Sequence, residues 1–435
     1  MFSQAPPGFQ GGADYRATGP GAGAGTTKHM EKIEKESILC MKIGIDKVLD
    51  VGRGKGYSVN IKKTPAYVRL LAISQVYGVL ISGSPDGIVM FNADKAARAI
   101  SEDQGDADLV EFPSSVGVVA VDMKARGLVT HVGLSGDSSR LFVAVSGGKL
   151  LMYDLVGLYN NPGAQPLREV SFDAEITDVR PNPASESQAV AVLLKSGEIV
   201  MFNYHTEMRS HFPKTETFTS MCWSPKGKQI ACGTASGLIM QFTEGGQEKK
   251  RYERPPSTES TDHSDHGVLS LEWVETFVFL AMYGKPPGTS QSAAYGDESE
   301  AQESWIYIIQ ASKTSPPTYL ANTENPLVPF GLVERHPQFY TSVINGWGES
   351  ASTILFLSPA DNLDTFVFGI GNGDEEKAAG IANAWCSWDL GEVYRVAQPL
   401  SKREASEDEE LVDTGPLGLV VDYTNTIQVP PLDPE

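Results

Sequence analysis

From about residue 65 the chain repeats one arrangement of apolar and polar positions. A short apolar run is followed by a turn, a second apolar run, a glycine-centred turn and a third apolar run. Four copies are clear, at residues 70–91, 132–153, 176–202 and 218–242. Asp86-Gly87, Gly147-Gly148, Ser196-Gly197 and Ser236-Gly237 precede the third runs, and such dipeptides supply the positive φ that tight hairpins need. The copies close on Val89-Met90-Phe91, Leu151-Met152-Tyr153, Val200-Met201-Phe202 and Met240-Gln241-Phe242. The tip glycines fall at 87, 148, 197 and 237, so the interval varies between 40 and 61 residues. The shortest interval matches a WD-type blade of roughly 40–45 residues, and the longer ones imply inserted loops. A lone sheet of three or four strands would leave one face exposed, so the units are expected to stack radially.

Beyond residue 265 the units are less regular. Residues 268–281 with 305–309 predict one pair of strand regions, and 340–347 with 353–358 another. Residues 417–429 begin the last unit, and polar insertions occupy 284–303 and 371–384. The count comes to about seven units. The expectation is therefore an all-β, seven-bladed, WD40-like β-propeller with irregular later blades. Long helices alternating with strands are absent from the pattern, which argues against a doubly wound α/β fold. Residues 1–30 are glycine- and proline-rich and predict a disordered leader. The propeller is expected over 31–435, its last blade either cut short or closed by residues 38–61.

Charge narrows the partners. The 435 residues include 35 basic and 55 acidic side chains, a net of −20. Such a field repels phosphate backbones and anionic lipid, so neither nucleic acid nor membrane is expected as a direct partner. It favours encounter with a basic protein surface, and the bland alternative is that it only keeps the chain soluble. Cys40, Cys222, Cys232 and Cys386 form no Cys-x-x-Cys pair, which fits a reducing compartment. No secretory apolar segment precedes residue 25, and no apolar run reaches about 18 residues.

Two motifs invite a chemical reading. Gly52, Gly54 and Gly56 follow Val48-Leu49-Asp50-Val51 and are similar to the first motif of S-adenosylmethionine-dependent methyltransferases. That motif requires a helix next, whereas Tyr57-Ser58-Val59-Asn60-Ile61 is strand-like, so a turn is expected instead. Asp262-His263-Ser264-Asp265-His266 offers metal-capable side chains without distant ligands at metal-site spacing, so a solvated loop is expected. No nucleophile elbow, His-Glu-x-x-His or Walker loop occurs. Neither an enzyme nor a cofactor is expected. The run Glu404-Ala405-Ser406-Glu407-Asp408-Glu409-Glu410, with Asp413 after it, is either a solvated loop or a patch for a basic partner.

The fourth copy carries Cys222-Trp223-Ser224-Pro225-Lys226-Gly227-Lys228-Gln229 and then Gln247-Glu248-Lys249-Lys250. It resembles the N-terminal β-propeller of the cytoplasmic-filament nucleoporin CAN family of the nuclear pore. Three further stretches agree. Gly418 to Asn425 resembles the start of the family's last blade, and Glu334-Arg335-His336 with Tyr340 and Trp347 matches its sixth unit. Trp385-Cys386-Ser387-Trp388, followed by Glu392 and Arg395, resembles the loop running into the final blade. The resemblance implies a seven-bladed, non-enzymatic propeller at the cytoplasmic face of the pore. Its implied partner is the N-terminal RecA-like domain of the mRNA-export DEAD-box helicase, bound through acidic contacts that compete with RNA. Other nucleoporins would bind through regions outside this chain. On the matching loop the implied contacts are Glu392, Arg395, Glu407, Asp408, Glu409, Glu410 and Asp413. The other readings are a generic WD40-like scaffold for another basic partner and a methyltransferase.

Overall fold

The structure, a computed structural model, describes residues 25–34, 48–50, 66–84, 86–102, 109–111, 116–258, 262–286, 303–322, 326–328, 336–347, 351–362, 365–380, 383–389, 401–402, 411–412 and 416–422. Within them lie six antiparallel sheets built in chain order. The first holds Leu71–Ser74, Val79–Ser84, Gly87–Asn92 and Val119–Asp122. The second holds Val129–Leu134, Arg140–Val145, Lys149–Asp154 and Arg168–Ser171. Ile176–Pro181, Ala189–Leu194, Ile199–Asn203 and Arg209–His211 make the third. Phe218–Trp223, Gln229–Thr234, Ile239–Thr243 and Glu248–Tyr252 make the fourth.

Each unit thus has a fourth strand beyond the three apolar runs. Those of the second, third and fourth sheets, such as Arg168-Glu169-Val170-Ser171 and Arg209-Ser210-His211, are short and polar, a composition that discourages an edge from pairing with another chain. Their polarity hides them from a search for apolar runs.

The fifth sheet holds Gly267–Glu275, Val278–Gly284, Ser304–Gln310 and Thr318–Ala321, and the sixth Phe339–Trp347, Ala351–Pro359, Phe366–Gly371 and Trp385–Asp389. Both gain a fifth strand from the start of the chain. Thr26–His29 pairs in parallel with Thr318–Ala321, and Lys32–Glu34 with Trp385–Asp389. Residues 26–30, expected in a disordered leader, are therefore strand and its continuation, with Met30 only 7% exposed against the fifth and sixth sheets. The composition of residues 1–25 masked this, because two short strands borrow their stability from edges already built. Residues 385–388 are likewise strand and not loop. Trp385, Cys386 and Trp388 are buried, with Lys32–Glu34 paired alongside their strand, and Gly369 lies so close to the Trp388 ring that no side chain fits there.

The apolar clusters run between sheets. Phe142 and Leu150 of the second pack with Val192 and Phe202 of the third, and Met201 of the third with Trp223 and Phe242 of the fourth. Tyr252 of the fourth meets Phe279 of the fifth, and Leu280 of the fifth meets Leu355 and Phe368 of the sixth. Every sheet therefore hides both faces only by having neighbours, which is the physical reason for radial stacking. Residues 416–422 lie between the two ends of the series. Leu417 packs with the first cluster while Leu419 and Val421 pack with the sixth sheet, and the Leu417 carbonyl accepts from the Leu70 amide at 2.8 Å. Of residues 38–61, only Val48–Asp50 is described, and it pairs in parallel with Leu109–Glu111.

Candidate protein-docking surface

The first strands of the sheets converge on a charged axis. Arg180 Nε lies 2.8 Å from Asp178 and its Nη1 3.4 Å from Glu272, while Arg69 Nε approaches Asp178 at 3.9 Å. Arg69 also stands over the Tyr340 ring, whose hydroxyl donates to the Val68 carbonyl at 2.7 Å. Burial alone would raise the Asp178 carboxyl, but Arg180 and Arg69 outweigh it and hold that carboxyl below its usual range. Burial likewise opposes the Arg180 charge, and Asp178 with Glu272 more than compensate, raising its pKa. His131 and His336, beside the same axis, are pushed down to about 4 chiefly by burial. The cavity left among Tyr67, Asp178, Arg180, Ser270 and His336 is about 10 Å³, room for about one water. The axis is a filled structural core, so recognition belongs on the surface.

The segment Asp262–His266 is not a solvated loop. His263 and His266 are 0% and 3% exposed, with Nδ1 atoms 2.8 Å apart. Tyr307 Oη lies 2.8 Å from His263 Nε2, and His266 stacks on Trp305 at 4.8 Å between ring centroids. Burial, then the neighbouring His266, lowers His263 to about 4, so two neutral rings share one proton between their Nδ1 atoms. The pair plugs the fifth sheet. Among the described residues no three metal-capable side chains converge.

The strand order fixes which connections share an end. Antiparallel strands alternate in direction, so the connection between second and third strands emerges beside the connection to the next sheet. Three contacts display this: Gly147 N donates to Glu175 at 2.9 Å, Ser236 Oγ to Glu216 at 2.8 Å, and Lys285 pairs with Asp265 at 3.5 Å. The insertion after Gly284 and the connection after Asp389 leave from this same end. Both are acidic in sequence. Residues 287–435 hold six basic and 23 acidic side chains, a net of −17, while residues 1–286 balance 29 basic against 32 acidic, a net of −3. Within the connection after Asp389, Ser401–Lys402 pairs antiparallel with Leu411–Val412, so a two-rung ladder flanks the acidic run. Glu392, Arg395, Glu407, Asp408, Glu409, Glu410 and Asp413 themselves lie outside the described residues, as do the three glycines of the 52–56 motif.

Residues 65–434 match the family described as NUP159/214 beta propeller. The chain belongs to that family. Its members are nucleoporin propellers, scaffolds rather than enzymes, and the all-β expectation and the resemblance to the nucleoporin family both hold. Human Nup214 is 27% identical over 373 residues, covering 83% of this chain and 16% of that protein. Nucleoporin NUP159 of Chaetomium thermophilum is 24% identical over 432 residues, covering 95% of this chain and 27% of that protein. The chain therefore spans less than a third of the length of these relatives. The N-terminal domain of Nup159 superposes with a TM-score of 0.63 at 16% identity, over 92% of this chain and 93% of that one. One chain of a Saccharomyces cerevisiae structure of Dbp5 bound to Nup159, Gle1, IP6 and ADP superposes with a TM-score of 0.64 at 16% identity, over 93% of this chain and 94% of that one. At that identity the likeness concerns the fold.

The axis network escaped the sequence reading, because Arg69, Asp178, Arg180 and Glu272 are scattered over three units. One signal was present. Asp178 and Arg180 sit at alternate positions of a short inner strand, where an unpaired charge would be costly. The buried histidines were visible as residues but not as a pair, since their partners Trp305 and Tyr307 lie some 40 residues on, in the third strand of the same sheet.

Proposed function

We propose that this propeller sits at the cytoplasmic face of the nuclear pore and docks an mRNA-export DEAD-box helicase there. It meets the helicase's N-terminal RecA-like domain and competes with RNA for that domain's basic surface. The observation that carries this is the confinement of charge. Net −17 of −20 falls in residues 287–435, the connection after Asp389 leaves one end of the sixth sheet, and Ser401–Lys402 pairs with Leu411–Val412 on either side of the acidic run in sequence. The family and the Nup159–Dbp5 assembly with the same fold support the choice of partner. In this reading residues 416–422 start a seventh blade between the sixth and first sheets. Glu392, Glu407, Asp408, Glu409, Glu410 and Asp413 face basic helicase side chains, and Arg395 a carboxylate or carbonyl. Exposed charges are screened beyond about 8–10 Å at physiological ionic strength, so affinity measured by calorimetry falls steeply between about 50 and 300 mM salt. Reversing Glu407, Asp408, Glu409 and Glu410 to Lys abolishes binding and the displacement of RNA, while thermal stability stays within about 1 kcal/mol. Salt-independent binding, or a reversed variant that binds and displaces RNA normally, refutes the assignment.

A further inference from the structure

The segments that lead into the first and sixth sheets meet at the axis. The His336 amide donates to the Ala66 carbonyl at 3.1 Å, and Gln338 Nε2 to the Val68 carbonyl at 2.8 Å. Beside this seam lies the cavity of about 10 Å³, lined also by the first strands of the third, fourth and fifth sheets. The seam leaves polar atoms unused. His336 is 7% exposed, and among the described residues neither of its ring nitrogens has a hydrogen-bond partner. Arg69 Nε is buried and likewise unbonded, 3.9 Å from Asp178 Oδ1. Each such group forfeits about as much free energy as a lost hydrogen bond, so two on one cavity point to an occupant.

The lining decides which occupant. Arg69 Nε can only donate. Burial keeps the His336 ring neutral above about pH 4, against a smaller opposing effect of the Leu269 backbone, so one nitrogen donates and the other accepts. The hydroxyls of Thr177, Thr219 and Ser220, on the same lining, donate to the Leu193 carbonyl at 3.3 Å and to the Val268 carbonyl at 2.5 and 3.1 Å. Their oxygens therefore remain free to accept. An anion would face these lone pairs and the Asp178 carboxylate, while a cation would face Arg69 and Arg180. A small neutral molecule that both donates and accepts suits every group, and the volume is that of one water.

We infer that the axis cavity binds one ordered water, held by Arg69, His336 and the hydroxyl oxygens of the third and fourth sheets. It accepts from Arg69 Nε, exchanges a hydrogen bond with His336, and donates to Thr177, Thr219 or Ser220. That makes about three hydrogen bonds, the usual number for a buried water. The partners come from the seam on one side and from two further sheets on the other. The water therefore ties the seam to the sheets beside it, and solvent is part of what holds the axis together.

The test is a high-resolution crystal structure of the whole chain, with a second crystal soaked in sodium bromide. A single peak with the scattering of one oxygen atom is expected about 2.7–3.2 Å from a His336 ring nitrogen and from at least two of Arg69, Thr177, Thr219 and Ser220. The bromide crystal shows no anomalous signal there. An empty cavity, or a bromide peak inside it, overturns the inference. In solution, magnetic relaxation dispersion of the water oxygen counts long-lived waters. Thr219→Val with Ser220→Ala removes two acceptors at nearly unchanged volume, and the count falls by one. An unchanged count in that variant overturns the site, and should the variant fail to fold, the two crystals decide alone. The readout uses no helicase, so it stands or falls apart from the helicase assignment.

Discussion

Lowering the pH should unfold this propeller well before its carboxylates are neutralised. His131 and His336 are 1% and 7% exposed, and burial takes each from 6.5 to about 4. Folded pKa values below the unfolded ones mean that the unfolded chain binds more protons between those limits. Stability is therefore complete above pH 6.5, declines as pH falls toward 4, and reaches its full loss below 4. Each histidine costs up to about 3 kcal/mol over that window, with a slope of about 1.4 kcal/mol per pH unit. Two of them consume much of a typical stability of about 5–15 kcal/mol, and His263 acts in the same direction. Asp178 does not compete. Its carboxyl lies below the usual range, so its contribution persists above about 4 and is lost only at lower pH. The assay is urea unfolding followed by tryptophan fluorescence at pH 7, 6, 5 and 4.5. His336→Phe, which preserves stacking on Tyr67 at 4.2 Å, should flatten the slope by about 1.4 kcal/mol per pH unit. An unaltered slope in that variant, or a wild-type stability flat from pH 7 to 5, refutes the reasoning.

Asp178→Asn leaves two arginines at the axis facing Glu272 alone. Calorimetry should register a loss of about 3–5 kcal/mol, part of it recovered when Arg180→Met removes the stranded charge. Cys222, Cys232 and Cys386 are buried, and burial raises the thiols of the first two well above their ordinary range. Mass spectrometry after iodoacetamide at pH 8 should find these three unmodified in the folded protein and modified in urea. Rapid native labelling of Cys222 would contradict the packing between the fourth and fifth sheets.

The radial architecture was legible in residues 70–242 because two physical signals coincide there. Apolar runs bury both faces of each sheet, and tip glycines such as Gly148 and Gly237 adopt φ +68° and +85°. Beyond residue 265 the same strands exist, but inserted segments separate Gly284 from Ser304 and disturb the period. The strands at Thr26–His29 and Lys32–Glu34 were illegible for a different reason. Parallel edge pairing needs no hairpin, so no turn signal points to a partner hundreds of residues away. For the docking surface the sequence carries the charge and its position, while only the topology shows that the fifth-sheet insertion and the acidic connection leave from one end.

The strands near the start of the chain set the order in which the protein can be finished during synthesis. Thr26 waits for Thr318, and Lys32 for Ser387, separations of roughly 290 and 355 residues. At about 5–20 residues per second a ribosome needs roughly 15 s to a minute to deliver those partners. Closing so long a loop costs about 4 kcal/mol more than closing a tight hairpin. Until then Met30 has no pocket, and the outer edges of the fifth and sixth sheets stand open as they emerge. These two strands thus settle only after partners made hundreds of residues later have arrived.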